Sequence, residues 1–198
     1  MVFIKSTALL SLLAAVSAAP ALEERTVSAN VPVYITAGGG NSKAPTPFLG
    51  KYFSASGNNI WLGKDPSFVV DNGDIPGPQG EDLKVAFRIS NYIMLDTNTP
   101  NGQRVFVAPD GALSYTKPTS PSVPSGSLTN TFKIDGYWLT ASDTDFLACP
   151  SSSGNKGPWK VFSDVNGRVK DSAVPTKKKD DCTTFKAMLV THEIMYYS

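Results

Sequence analysis

His192 is the one histidine of this 198-residue sequence. It stands in Val190-Thr-His-Glu-Ile194, and a Ser–His–Asp triad would have to use it. No Gly-x-Ser-x-Gly elbow accompanies it, and a His-Glu pair without a second His is no zinc-protease helix. A hydrogen-bonded or solvent-facing role is the plainer reading. Asp71 with Asp74, Asp143 with Asp145, and Asp180 with Asp181 are the acid pairs that glycoside hydrolysis would need. Each falls in a polar, turn-like stretch, where Asp ordinarily bonds the local backbone. The first two pairs could hold calcium, but neither has EF-hand spacing. The residues therefore point to no catalytic group, no metal and no cofactor, and to a protein that is not an enzyme.

The aromatic residues offer a different chemistry. Trp61, Trp138 and Trp159, with Tyr52, Tyr92 and Tyr137, have faces that stack on the apolar side of a pyranose ring, and their N–H or O–H groups can bond a hydroxyl. The strand patterns around Trp138 and Trp159 favour core filling for both. In Gly136-Tyr-Trp-Leu139 adjacent residues face opposite ways, so either Tyr137 or Trp138 should point outward. Tyr137, Trp138 and Trp61 are the candidate glycan-stacking residues. Cys149 and Cys182 are the only cysteines. In an exported chain such a pair most simply forms a disulfide. Closing a loop of this size is worth about 3–4 kcal/mol in the loop-entropy model.

Export is itself an expectation from the sequence. Lys5, the apolar run Ala8–Val16 and the small residues Val16-Ser-Ala18 have the three parts of a secretory signal peptide over residues 1–18. Leu22-Glu-Glu-Arg25 resembles the end of a short pro-segment, residues 19–25, which leaves 26–198 as one domain. No run reaches the roughly 18 apolar residues of a membrane span. The chain carries 18 basic and 17 acidic residues. Losing the signal peptide leaves 17 of each, and cleavage after Arg25 leaves 16 against 15. With no basic excess, nucleic acid is not an expected partner. There is no N-glycosylation sequon, whereas Lys117–Ser127 has the Ser/Thr/Pro composition of O-glycosylated segments.

The elements that must position these residues are strands. Phe53–Leu62, Phe87–Leu95, Phe106–Tyr115 and Phe132–Leu139 repeat one pattern: Phe, an apolar residue two on, a Gly or Asn turn, then a second run. Such turns tolerate the positive φ that tight hairpins need. Further strands fit Leu83–Arg88, Asp145–Cys149, Trp159–Ser163 and Thr184–Val190. Asp71–Glu81 is too rich in Gly and Pro for a strand or helix and reads as a loop. The prediction is a single compact all-β antiparallel domain, with a β-trefoil-like barrel favoured over a β-sandwich.

Phe132-Lys-Ile-Asp-Gly-Tyr-Trp-Leu139, Asp145-Phe-Leu-Ala-Cys-Pro150, Gly157-Pro-Trp-Lys-Val-Phe-Ser-Asp164 and Asp181-Cys182 stand in an order that resembles a family of secreted fungal wall proteins. These are the PhiA-like proteins of phialide development, also known as IgE-binding allergens. Arg104-Val-Phe-Val107 with Gly111 and Tyr115-Thr116 is similar to the family's upstream element. The same order resembles the C-terminal domain of yeast wall mannoproteins, although the internal repeats that cross-link those proteins to glucan are absent here. The likeness runs over roughly residues 104–190. It implies a non-catalytic domain of the fungal wall or medium, linked to asexual sporulation; the chain is expected to be a monomer without membrane contact. Its partner would be a cell-wall polysaccharide or a wall protein, reached by adhesion. Two other functions stand beside it: an apoplastic effector or inhibitor that binds a foreign protein through its loops, and a glycan hydrolase using an Asp pair.

Overall fold

The computed structural model describes residues 32–39, 46–70, 73–76, 85–90, 92–97, 99 and 102–191. The expected signal peptide (1–18), the pro-segment (19–25), Asp71 and His192 lie outside the described residues. Among the described residues fifteen strands follow one another: β1 Val33–Ala37, β2 Phe53–Ser56, β3 Asn59–Leu62, β4 Ser67–Val70, β5 Gly73–Pro76, β6 Phe87–Ile89, β7 Ile93–Leu95, β8 Gln103–Val107, β9 Leu113–Tyr115, β10 Phe132–Asp135, β11 Trp138–Ala141, β12 Phe146–Ser152, β13 Lys156–Ser163, β14 Thr183–Phe185 and β15 Ala187–Thr191. Helical structure among the described residues is confined to two short 3-10 turns, Val165–Gly167 and Lys179–Asp181.

All four repeated runs are hairpins. Phe53–Leu62 forms β2 and β3 around Gly57-Asn58, whose φ angles of 57° and 61° are those a two-residue I′ turn requires. Phe87–Leu95 forms β6 and β7, Phe106–Tyr115 contributes to β8 and β9, and Phe132–Leu139 forms β10 and start of β11. Two expectations need correction. Gly73–Pro76, read as part of a loop, pairs with Ser67–Val70 as the ribbon β4–β5. Composition disfavours a strand there, but a two-stranded ribbon leaves one edge of each strand unpaired and so tolerates Gly and Pro. Thr184–Val190, read as one strand, is split at Lys186 into β14 and β15, which pair with different neighbours.

Thirteen strands form one sheet in the order β10-β11-β15-β1-β6-β7-β8-β9-β3-β13-β12-β14, with β2 attached to β3. All pairs are antiparallel, as predicted. The path among the described strands is open at β10 and β14, which each have one strand neighbour in it, while an isolated bridge between Thr36 and Tyr52 joins β1 to the start of β2; the pairing shows an all-β antiparallel sheet and not a closed barrel or trefoil. The sheet turns at β8. Gln103 and Arg104 pair with β7, while Val105–Val107 pair with β9. One half is therefore β10-β11-β15-β1-β6-β7, and the other is β9-β3-β13-β12-β14 with β2. The chain passes directly from the second half to the first at Lys186.

Alternation sends one set of side chains from each half into a common core. Phe53 stands at its centre, edge-on to Phe87 at 6.3 Å and to Phe146 and Phe185 at 6.1 Å. Phe48 meets Phe185 at 5.6 Å and Trp159 at 5.7 Å. Trp159 is buried, as its strand pattern predicts. Edge-to-face packing of this kind adds about 0.5–1.5 kcal/mol per pair beyond burial.

Candidate functional site

The β10–β11 hairpin ends in Gly136-Tyr137, between the paired residues Asp135 and Trp138. Gly136 has φ 57°, which places glycine at the first turn position, where a II′ turn wants it. Tyr137 is 51 % exposed and Trp138 37 %. This corrects two expectations. Trp138 is not core, and the choice between Tyr137 and Trp138 does not arise. Tyr137 sits in the turn, outside the alternation of the strand, while Trp138 is the outward residue of β11 and Leu139 the inward one. Ile134, 38 % exposed, adds a third apolar side chain to the hairpin.

Trp138 has a built seat. A Cβ on Gly38 would lie 2.7 Å from Trp138 Cζ3, so only glycine admits the indole there. The Lys186 ammonium stands 5.6 Å from the ring centroid, at cation–π range. Trp138 is paired with Met188 on β15, Met188 with Thr36 on β1, and Thr36 with Tyr52. Tyr34 and Tyr52 meet edge-on at 6.0 Å. Paired residues share a face, so Trp138, Met188, Thr36 and Tyr52 are aligned across the outer side of the sheet, but Thr36 is buried, 5 % exposed, with its hydroxyl donating to the Lys51 carbonyl at 3.1 Å, so the alignment is interrupted at the surface. Three inter-strand spacings make it about 14–15 Å long. Sequence reading missed Tyr34, Met188 and the seat at Gly38. Val33, Ile35 and Ala37 are core residues, and that alternation alone was enough to place Tyr34 outward.

Trp61 is not on this row. It is the outward residue of β3, in the other half, half-buried, with Nε1 donating to the Ser56 carbonyl at 3.0 Å. The Lys64 ammonium lies 4.1 Å above its ring and Lys160 is its cross-strand neighbour. Burial lowers the Lys160 pKa; Asp110 opposes this and Lys64 adds to it.

Cys149 and Cys182 are bonded to each other, with Cα atoms 4.2 Å apart. The bond holds the segment between β13 and β14 over the outer surface of the second half. Phe162, Cys149, Ala112, Val169 and Val174 are all buried there in a small second core. Asp164 organises this strap. It accepts bonds from the Val169 N–H at 2.9 Å and from the Lys179 ammonium. Partial burial raises its pKa, but these bonds outweigh burial and hold it below the ordinary value.

Asp143 is exposed and ion-paired with Lys133 at 2.7 Å. Asp180 and Asp181 are exposed in a 3-10 turn. Among the described residues no cluster of three or more His, Cys, Asp or Glu could hold a metal ion, and no helix is long and apolar enough to cross a membrane.

A family model described as PhiA-like secreted protein matches residues 42–196. The chain is also 27 % identical over 143 residues to a protein of Arthroderma benhamiae described as an uncharacterized secreted protein, a match covering 66 % of this chain and 67 % of that one. No solved structure matches it.

Proposed function

The chain belongs to the PhiA-like secreted protein family, and from that premise we propose that it is a non-catalytic protein of the fungal cell wall that adheres to wall polysaccharide through the β10–β11 hairpin and Met188 beside it. The exposed pair Tyr137 and Trp138 carries this reading. An indole held in a fixed seat loses little freedom when a sugar ring stacks on it, and pre-ordering of this kind favours affinity. Tyr137 at the turn brings a phenol to the rim, where it can bond a sugar hydroxyl. Half-buried Met188, the cross-strand partner of Trp138, extends the apolar contact by one strand. The ion pair of Asp143 and the exposed turn of Asp180 and Asp181 favour the non-catalytic form of the reading over hydrolysis.

Cosedimentation with insoluble β-glucan and chitin tests it. The wild-type protein should sediment with at least one of them and change its tryptophan fluorescence. A Tyr137→Ala/Trp138→Ala double variant should stay in the supernatant. No sedimentation of the wild type, with capture of a foreign protein instead, would favour an effector or inhibitor.

A further inference from the structure

A second surface stands apart from the hairpin. On the outer side of the other half, Phe106 on β8, Ser114 on β9 and Asn59 on β3 are successive cross-strand partners. They underlie a cleft of about 520 Å³, within the range of roughly 300–1,000 Å³ typical of small-ligand sites. Phe106 is buried, 5 % exposed, outside both hydrophobic clusters, and lies beneath the cleft floor. The walls are the Gly57-Asn58 turn on one side and the Lys117–Pro124 loop, with Ser120 and Ser122, on the other.

Both walls are fixed. The Tyr115 hydroxyl accepts the Asn58 N–H at 3.3 Å, and Asn59 donates to the Gly57 carbonyl at 2.7 Å. Ser114 donates to Asn59 Oδ1 at 3.3 Å. Across the cleft, Lys117 and Ser120 form a bridge, Leu128 exchanges two 2.9 Å bonds with Val107, and Arg168 of the strap donates to the Gly126 carbonyl at 2.7 Å. Asn58 Oδ1 is buried at the wall with no hydrogen-bond partner among the described residues. Native proteins rarely leave such an acceptor unused.

The lining decides the ligand class. Hydroxyls and carboxamides both donate and accept, which matches a ligand whose own groups do both. Lys117 is the one charged residue of the lining, too little to select an anion. We propose that this cleft is a binding site for a short neutral saccharide, or the end of one, independent of the hairpin row. It shares with the wall reading only the ligand class.

The test is titration of the ¹⁵N-labelled protein with soluble oligosaccharides of β-1,3-glucose, β-1,4-N-acetylglucosamine and α-1,6-mannose. Amide shifts at Ser114, Thr116 and Lys117 should saturate with at least one of them. Ser120→Trp fills the cleft from its exposed rim and should weaken that binding at least tenfold, with the remaining spectrum unchanged. Trp138→Ala should leave it intact. If all three saccharides leave these amides unmoved, or if the shifts survive Ser120→Trp, the inference is overturned, whatever the outcome of sedimentation. If the cleft binds while the hairpin variant still sediments, the hairpin reading fails and the cleft stands.

Discussion

The two halves of the sheet share one alternating pattern, yet their outward residues meet opposite fates. On β13, Phe162 points away from the common core and is fully buried, because the strap of residues 164–182 lies over it. On β11, Trp138 also points away from the core and is 37 % exposed, because no described segment covers it. Strand parity settles which side chains leave the core. Whether they reach solvent depends on a distant segment, and here a disulfide and one carboxylate hold that segment in place. The strapped surface is built for stability, and the open one is free for contact.

Removing the covered aromatic should have the largest effect. Phe162→Ala should cost about 3–5 kcal/mol, as deletion of a buried ring does, measured by denaturant unfolding. A cost near zero would show that the second core is not packed. Cys149→Ser with Cys182→Ser should cost about 2–5 kcal/mol. It should also raise hydrogen exchange across 164–182 before it affects β10–β11. Uniform exchange in both halves would deny that the strap is a separate unit.

Asp164→Asn should cost about 1–2 kcal/mol through loss of the charge-assisted bond from Lys179. The native pKa of Asp164 is lowered, so its stabilisation is complete above the unfolded value of about 3.9 and is lost as pH falls through the native one. Stability of the wild type, followed by thermal unfolding in that acid range, should therefore drop more steeply than that of Asp164→Asn. Parallel curves would remove Asp164 from the account. Trp138→Ala should cost about 1 kcal/mol or less, as substitutions away from a packed core do. A loss as large as that of Phe162→Ala would make Trp138 a structural residue and erase the contrast.

The hairpins were legible because each combines a Phe, an apolar residue two on and a turn residue suited to positive φ, as at Gly57-Asn58. The disulfide was legible from compartment and number alone. The strap was not. Val169 and Val174 lie in a polar run with no strand or helix period, and only the surface of β12 and β13 makes them a core. The exposure of Trp138 was hidden for the same reason, since its strand pattern resembles that of buried Trp159. The row from Trp138 to Tyr52 joins residues far apart in the chain, and only the pairing of β15 and β1 aligns them. The ribbon β4–β5 escaped because its Gly and Pro residues argue against any strand.

The central claim is that the open face holds the protein to the wall. Fungal cultures producing either the wild type or the Tyr137→Ala/Trp138→Ala variant would be separated into wall, detergent extract and medium, and each fraction probed for the protein. The account predicts the wild type in the wall fraction and the variant shifted to the medium. Equal distribution of the two, or a wild type found wholly in the medium, would contradict it.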